Sequence, residues 1–284
     1  MKSSLTTLTT SLEKIQGKAY LQSKGISPNS PFQLDLLFPA MCTRSDLRHI
    51  PNDYARSSLF TVRNKNIARK SFLHEELFHY NSEIRILYTG IELRAEDDEL
   101  VWLQILHYGQ SVELGTPFDF SVKDLVRDVG WHKNGYYYNK ARESISRLKA
   151  NEVLALNSKA YGKSGAVSLI KNYISVNDSD GNPTRYKVEI DPSLILLFAG
   201  NTFTSHKWTA YLKLSPVARR LADYVESHKY PFPLSIKRFR SMCGSSNVNL
   251  GSWRQTVARA CFEIEREKIC KYAILKDDSI SCVV

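Results

Sequence analysis

The side chains best suited to a chemical task lie on a helix predicted over residues 251–268. At 100° per residue, one face of this helix is apolar and the opposite face carries hydrogen-bonding and charged groups. The outward residues are Ser252, Gln255, Arg259, Phe262 and Arg266, with Arg254 to one side near the N-terminus. Arginine can pair with O6 and N7 of guanine, and glutamine with N6 and N7 of adenine. This face therefore has the chemistry to read base edges in duplex DNA; the alternative is a charged face that meets only solvent.

A second helix, predicted after residue 133, offers a weaker form of the same chemistry. Its inward positions are apolar, and its outward face and N-terminal end are polar. The candidate DNA-contacting residues there are Lys133, Asn134, Tyr136, Asn139, Lys140 and Arg142. Glu143 lies in the middle of that face, where its carboxylate would repel phosphate. We therefore expect this helix to contact DNA mainly through its N-terminal end.

Both helices belong to a sequence unit that the chain contains twice. Residues 117–123 read Pro-Phe-Asp-Phe-Ser-Val-Lys and residues 231–237 read Pro-Phe-Pro-Leu-Ser-Ile-Lys, with four identical positions. In each copy a Ser can cap a short helix, a Gly can end it, and a longer amphipathic helix and an apolar strand follow. Two helices joined by a turn form a helix-turn-helix, and trailing strands add a wing. The alternative is two unrelated helical hairpins that match by chance.

The repeat predicts an α+β fold with two tandem winged-helix domains. A chain of 284 residues is long enough for two domains. We assign residues 1–50 to a flexible N-terminal arm, because residues 1–31 are rich in Ser, Thr, Lys and Gln with little periodicity. Residues 51–200 form the first winged-helix domain, with an enlarged antiparallel sheet, and residues 201–284 form the second.

Local signals predict further elements within these domains. Thr89-Gly90 is a turn signal and predicts a strand pair over residues 83–93. The other predicted features are a helix that begins near Asp97 and ends at Gly109, strands at 152–157, 166–176 and 184–190, a helix capped at Ser215-Pro216, and a wing turn at Asp277-Asp278. These strands are the reason for expecting an enlarged sheet in the first domain.

The charge of the chain favours a polyanionic partner. It has 39 Lys and Arg against 29 Asp and Glu, a net charge of +10. Residues 201–284 hold 14 basic against 7 acidic side chains, whereas residues 51–110 hold 7 against 9. The second copy of the repeat therefore lies in the basic end of the chain. An apolar fraction of 43% supports a folded core rather than a disordered chain.

Nothing in the sequence points to secretion, a membrane or a metal centre. The five cysteines are odd in number and form no C-x-x-C pair; they are Cys42, Cys243, Cys261, Cys270 and Cys282. No signal peptide opens the chain, and no apolar run approaches the roughly 20 residues of a membrane span. We expect a cytoplasmic protein that has no cofactor and no membrane partner.

Two features resemble catalytic motifs but lack necessary parts. Gly162-Lys163-Ser164 resembles the end of a phosphate-binding loop, yet residue 157 is Asn where that motif needs Gly. The run Tyr136–Tyr138 suggests a DNA-nicking tyrosine, but that chemistry needs a metal or an Arg/His cluster, and no histidines pair at metal-ligand spacing. We expect no enzymatic activity. A nicking enzyme is the alternative, and it would leave a covalent tyrosyl–DNA adduct.

A short apolar peptide lies within the predicted arm. Residues 33–38 read Gln-Leu-Asp-Leu-Leu-Phe, between Pro31 and Pro39. Prolines on both sides argue against a long helix or a central strand. The peptide suits a partner's hydrophobic groove, with its large apolar side chains as anchors and Gln33 for polar contacts. From the residues alone, packing back onto its own domain is an equal alternative.

Five longer stretches are similar to the TrfA-type plasmid replication initiators of bacteria. They are PNDYARSSLFTVRNK at 51–65, YTGIELRAEDDELVW at 88–102, VEIDPSLILLFAG at 188–200, LSPVARRLADY at 214–224 and FRSMCGS at 239–245. The resemblance covers about residues 50–284 and is weakest in the two recognition helices. The peptide ahead of it resembles the Q-L-x-L-x-F motif that binds the bacterial sliding clamp. Its clamp-binding residues would be Gln33, Leu34, Leu36, Leu37 and Phe38.

The resemblance implies an initiator with tandem winged helices that binds short direct repeats, called iterons, at a plasmid origin. Such a protein helps to open neighbouring A·T-rich DNA and recruits the host replication initiator and the replicative helicase. Family members are homodimers in storage and bind DNA as monomers, with the first domain contributing to dimerisation. A transcriptional repressor of the same fold is the alternative, although a repressor has no use for a clamp-binding peptide.

Overall fold

The computed structural model describes residues 45–112, 115–157, 165–191, 203–247 and 249–284. The described chain is a mixed α/β structure. The elements ahead of the first repeat copy are β1 (Leu47–Pro51), α1 (Asn52–Ala55), β2 (Phe60–Thr61), β3 (Ser71–Leu77), β4 (Ile84–Ile91), β5 (Leu93–Arg94) and α2 (Asp98–Gly109). Helix α2 begins and ends where its sequence predicts, and Asp97 caps it by accepting a hydrogen bond from the Asp98 amide at 2.9 Å.

The two repeat copies form similar series of elements. The first contains β6 (Phe118–Ser121), α3 (Val122–Asp128), α4 (Gly135–Lys149) and β7 (Asn151–Asn157), followed by β8 (Gly165–Val167), β9 (Asn172–Asn177) and β10 (Pro183–Glu189). A connecting part holds β11 (Phe203–Lys207), α5 (Trp208–Tyr211) and α6 (Pro216–Glu226). The second copy contains β12 (Leu234–Ser235), α7 (Ile236–Met242), α8 (Leu250–Arg266), β13 (Tyr272–Lys276) and β14 (Ser279–Val283).

The capping chemistry of the repeat is confirmed. The hydroxyls of Ser121 and Ser235 accept hydrogen bonds from backbone amides three residues on, at 3.0 and 3.3 Å. Gly130 and Gly244 follow the two short helices with φ of +73° and +54°, the left-handed conformation that favours glycine. Ser215 caps α6 as predicted, with Pro216 at its first position. Local sequence thus determines both helix pairs.

The strands form several small sheets. An antiparallel four-stranded sheet has the order β3-β4-β7-β8, and two three-stranded antiparallel sheets have the orders β6-β10-β9 and β12-β14-β13. Strand β1 pairs with β11, and β2 pairs in parallel with β5. In the second copy, the first strand and the trailing hairpin share one sheet. In the first copy, the strands that follow α4 are divided between two sheets.

The predicted turn at Thr89-Gly90 is wrong. Strand β4 runs through both residues and pairs with β7 from Ile84 to Gly90. Gly90 has φ of +143°, and a Cβ there would lie 3.0 Å from the Asn151 Cβ. The glycine is therefore explained by a close approach of two strands, a role that sequence cannot distinguish from a turn.

The single strand predicted over 166–176 is also wrong. The predicted strand is interrupted between β8 and β9, and these two strands join different sheets. Leu169 and Ile170, in the break, are completely buried. The Ile170 amide donates to the carbonyl of Leu148 at 3.0 Å, at the end of α4. Leu169 and Ile170 therefore pack in the core, between the end of α4 and the two sheets.

The range predicted for the arm includes residues 47–50, which form part of a strand. Residues 47–51 form β1, whose Arg48, His49 and Ile50 are at most 5% exposed. Its partner β11 lies beyond the domain boundary predicted at residue 200, so this pairing joins the starts of the two predicted domains. Residues 1–44, including the peptide Gln33–Phe38, lie outside the described residues.

A buried charge cluster joins the two halves of the chain. Arg220 on α6 donates to Glu99 on α2 at 2.7 Å and also pairs with Asp223. It further donates to the carbonyls of Ala55 and Ser57 at 2.9 and 2.6 Å. The side chains of Arg220, Glu99 and Asp223 are all inaccessible to solvent. Burial and repulsion from Asp223 raise the pKa of Glu99 to about 8.

His206 on β11 completes the cluster. Its Nδ1 lies 2.5 Å from a carboxylate oxygen of Glu226, and its Nε2 lies 2.9 Å from Asp223. Burial alone would lower the pKa of His206, but the two carboxylates outweigh burial and raise it to about 10. The imidazole is therefore a buried cation at neutral pH.

Replacing Arg220 with Met should destabilise the protein severely, because buried Glu99 would lose its ion-pair partner and buried Asp223 would keep only His206. Removal of one partner from a buried ion pair costs about 3–5 kcal/mol. Urea unfolding followed by circular dichroism measures the loss. Arg85→Met is the matched control: Arg85 pairs with Glu76 at 2.7 Å, but both side chains are about half exposed and screened by water. Equal losses in both variants would contradict this role of Arg220.

The raised pKa of His206 predicts a loss of stability at alkaline pH. A raised folded-state pKa gives stability that is complete below the unfolded value of about 6.5 and disappears as pH approaches 10. We expect His206→Gln to be less stable than the wild type at pH 6, with a difference that shrinks towards pH 10. Exposed His132→Gln should keep the wild-type profile. A constant His206→Gln deficit from pH 6 to 10 in urea titrations would refute the assignment.

Candidate nucleic-acid interface

Helix α8 is held in place by its apolar face. The predicted apolar face is buried, and its residues are Trp253, Val257, Ala260, Cys261 and Ile264. The indole of Trp253 donates to the Ile236 carbonyl at 3.1 Å, which fixes α8 against the start of α7. Asn249 caps α8 by accepting a hydrogen bond from the Ser252 amide at 3.0 Å. The outward face of α8 therefore has a defined direction.

That outward face is an exposed stripe with free hydrogen-bonding groups. Ser252, Gln255, Arg259, Phe262 and Arg266 are all exposed. Arg259 and Gln255 make no side-chain hydrogen bond or ion pair with any residue that the structure describes. Phe262 is 65% exposed at the centre of the stripe, where an aromatic ring can contact a thymine methyl. The middle of α8 can therefore read bases without breaking internal contacts.

Arg254 and Arg266 differ from Arg259 because each already has a carboxylate partner. Arg254 binds Asp278 with two hydrogen bonds, of 2.5 and 2.6 Å. This bond lowers the pKa of Asp278. Asp278 lies in the β13–β14 turn, which occurs where it was predicted. Arg266 lies 3.0 Å from Glu267 at the helix end. Arg254 thus connects the hairpin to α8, and its charge is partly neutralised.

Helix α4 has fewer free groups than its sequence suggests. The ammonium of Lys140 lies 3.4 Å from Glu96 and 4.9 Å from the Trp131 ring centre, and the side chain is 15% exposed. Arg142 donates to the Pro183 carbonyl at 2.9 Å and to the Asn139 side chain at 2.8 Å. Two predicted DNA contacts therefore have structural partners.

The remaining candidates of α4 lie at its N-terminal end. Lys133 and Asn139 are exposed, and Tyr136 is 67% exposed. Asn134 caps the helix by accepting a hydrogen bond from the Tyr137 amide at 3.1 Å. The Glu143 side chain remains 69% exposed despite lying 3.6 Å from Arg147. DNA contact through the N-terminal end of α4 stays a prediction.

Residues 62–70, which we call the basic loop, form a part of this surface that sequence reasoning did not place. Lys65, Ile67 and Arg69 line a cavity of about 490 Å³ together with Tyr136 and Asn139 of α4. The sequence does mark this segment as basic, since four of its nine residues are Lys or Arg. Only the tertiary structure brings them beside α4.

The described residues contain neither a candidate metal centre nor a membrane-spanning helix. Among the residues that the structure describes, no three His, Cys, Asp or Glu side chains could hold a metal ion together. Within the same ranges, no helix is long and apolar enough to cross a membrane. The loop Gly162-Lys163-Ser164 lies outside the described residues.

Comparison with known proteins places the chain in a family. The model of the family described as TrfA protein matches residues 21–284. The chain belongs to the TrfA family. It is 43% identical over 236 residues to the plasmid replication initiator protein TrfA of Escherichia coli. That match covers 83% of this chain and 61% of the relative, so the chain spans less than two thirds of the relative's length.

Two solved structures of domains 2 and 3 of RctB share the fold. One has a TM-score of 0.56 and 12% identity, and the match covers 82% of this chain and 98% of the RctB chain. The other has a TM-score of 0.54 and 14% identity, with coverages of 81% and 94%. At such low identity the similarity concerns the fold alone. It shows that the mixed α/β arrangement of most of this TrfA-family chain recurs in another protein.

The free Arg259 side chain should contribute more to specific DNA binding than the paired Arg254 side chain. We expect Arg259→Ala to weaken binding to a selected site by about 1–3 kcal/mol, the value of a bidentate base contact. Binding to random duplex should change far less. Arg254→Ala is the matched control and should lose less specificity, because Asp278 already neutralises part of its charge. Fluorescence anisotropy with competitor DNA measures the affinity of each variant for the selected and the random duplex. If Arg259→Ala loses affinity equally for the two duplexes, Arg259 contacts only phosphate.

Proposed function

We propose that the chain is a plasmid replication initiator that binds origin DNA through two winged helices. The observation that carries this proposal is the α8 stripe. Arg259 and Gln255 are exposed and unpaired among the described residues, on a helix whose other face is locked into the core. Such a helix presents base-reading groups in a fixed direction. Membership of the TrfA family supports replication initiation as the purpose of that binding.

Strand pairing supports the winged-helix assignment most directly in the second copy. Strand β12 precedes the helix pair and joins β14 of the trailing hairpin, so the sheet packs beside α7 and α8. In the first copy, β6 instead pairs with the distant β10, and β7, which follows α4, joins the four-stranded sheet between β4 and β8. We propose that this is the enlarged wing expected from the sequence.

The two unlike helices indicate what kind of site the protein binds. A palindromic operator mirrors a two-fold dimer in which identical helices read both half-sites. Here α8 offers Arg259, whereas α4 offers Tyr136 and Asn139 beside the acidic Glu143. One chain therefore presents two different reading heads in fixed order. The matching site is asymmetric, and asymmetric sites can be repeated head to tail as direct repeats, or iterons.

Further partners follow from sequence resemblance and extend the proposal. The peptide Gln33–Phe38 is proposed to bind the bacterial sliding clamp. The host replication initiator and the replicative helicase are proposed as proteins recruited to the opened origin. We propose that the protein is stored as a homodimer and binds DNA as a monomer. We also propose that it is cytoplasmic and that it performs no catalytic step.

A single-site binding experiment tests the proposal. Wild-type protein selects its preferred duplex from a random pool, and that duplex is examined by native mass spectrometry and footprinting. We expect one chain on an asymmetric footprint of roughly 20 base pairs, because each reading helix occupies about one turn. An unselected duplex of equal length is the control. Two chains on a symmetric footprint, or no enriched sequence, would refute the proposal.

A further inference from the structure

The basic loop starts beside the reading unit of the second copy. The amide of Val62 donates to the Cys243 carbonyl at 2.9 Å, at the turn between α7 and α8. Gly244 follows with φ of +54°, and a Cβ at this position would lie 2.8 Å from the Thr61 Cγ2. The glycine thus permits a close approach as well as a turn. The first residues of the loop pack directly against the turn that precedes α8.

The same loop ends beside the reading helix of the first copy. Lys65, Ile67 and Arg69 share the cavity of about 490 Å³ with Tyr136 and Asn139 of α4. The loop therefore lies between the α7–α8 turn and the outer face of α4. Its residues 62–69 can extend over at most roughly 25 Å. This distance is shorter than the approximately 34 Å between the centres of successive major grooves.

Hydrogen bonds within the loop and from Arg94 fix the conformation of the basic loop. The Asn64 side chain accepts a hydrogen bond from the Asn66 amide at 2.9 Å, and the Ile67 amide donates to the Asn64 carbonyl at 3.1 Å. These bonds form a tight turn. Buried Arg94 donates to the Ile67 carbonyl at 2.7 Å. The tip is therefore ordered before any ligand binds, which reduces the entropy lost on binding.

The arginines of the loop have carboxylate partners. The residues at the tip of the loop, which are Lys65, Asn66 and Ile67, have none among the described residues. Arg69 pairs with Asp97 and Asp98, each at 2.7 Å, and Arg63 lies 3.5 Å from Glu92. In contrast, Lys65 is exposed and has no side-chain partner among the described residues. Asn66 and Ile67 beside it are also exposed, and Ile67 is 41% accessible. The tip thus presents a free cation, an amide and an apolar group.

We propose that the basic loop enters the minor groove of the DNA between the two major-groove sites, with Lys65, Asn66 and Ile67 as the contacting residues. The inference rests on the proposed function, because it requires α4 and α8 to lie in successive major grooves. A segment between two such helices faces the intervening minor groove, which is about 6 Å wide. Lys and Asn read the A·T pattern of that groove, and Ile can wedge between base steps.

A modified base isolates this contact. The probe is a duplex with one site selected from a random pool by the wild-type chain. In its central A·T pairs, adenine is replaced by 2,6-diaminopurine, which adds an amino group in the minor groove and leaves the major-groove edge unchanged. We expect roughly tenfold weaker binding by wild-type protein, comparable to a mismatched base pair. The double variant Lys65→Ala/Asn66→Ala should bind the unmodified probe more weakly and lose little more on the modified one.

Two controls and two contrary outcomes make the test decisive. Lys187→Ala removes an exposed lysine on β10 and should respond to diaminopurine as the wild type does. Thermal melting by circular dichroism checks that the loop variant is folded. If wild-type binding tolerates the modified base, or if the loop variant remains equally sensitive to it, the loop does not read the minor groove. If the random pool yields no preferred sequence, the proposed function fails first and this inference fails with it.

Discussion

The guanidinium of Arg220 is the group on which the joining of the two halves depends. It is fully buried, and a buried cation is costly unless anions and hydrogen bonds replace the lost water. Its partners come from α2, from its own helix and from backbone carbonyls near α1. Because each missing partner would leave a buried charge unpaired, these segments must pack together. The two repeat copies consequently share one hydrophobic core.

A second charge network applies the same constraint near the interface. Asp97 and Asp98 lie at the N-terminus of α2, where the helix dipole favours carboxylates, and bind Arg69 of the basic loop and Arg147 of α4. Burial and the neighbouring Asp97 raise the pKa of Asp98 to about 6 despite the two arginines. The basic loop, α4 and α2 therefore meet at one point. Arginines engaged in this way are not available to DNA, so the net charge of +10 overstates the cations that face a ligand.

Sequence reasoning was accurate where structure depends on neighbouring residues. The caps at Ser121 and Ser235, the glycines after the short helices and the apolar faces of α4 and α8 follow from spacing along the chain. It was wrong or silent where distant segments meet. Gly90 looked like a turn because the approach of Asn151 from another strand cannot be read locally. For the same reason, Lys140 and Arg142 appeared free, since their partners Glu96 and Pro183 lie about forty residues away.

The unequal use of charge accounts for the asymmetric site that we propose. In the proposed complex, α8 supplies most of the base discrimination, because Arg259 and Gln255 are not engaged by the described residues. Helix α4 positions the protein on the DNA rather than reading bases. Its cations already bind other groups of the protein, and Glu143 would repel the phosphates if α4 entered the groove deeply. The basic loop lies between them and adds sensitivity to groove shape. Buried ion pairs hold these parts together, so little order must be gained on binding and the spacing between grooves becomes part of what is recognised.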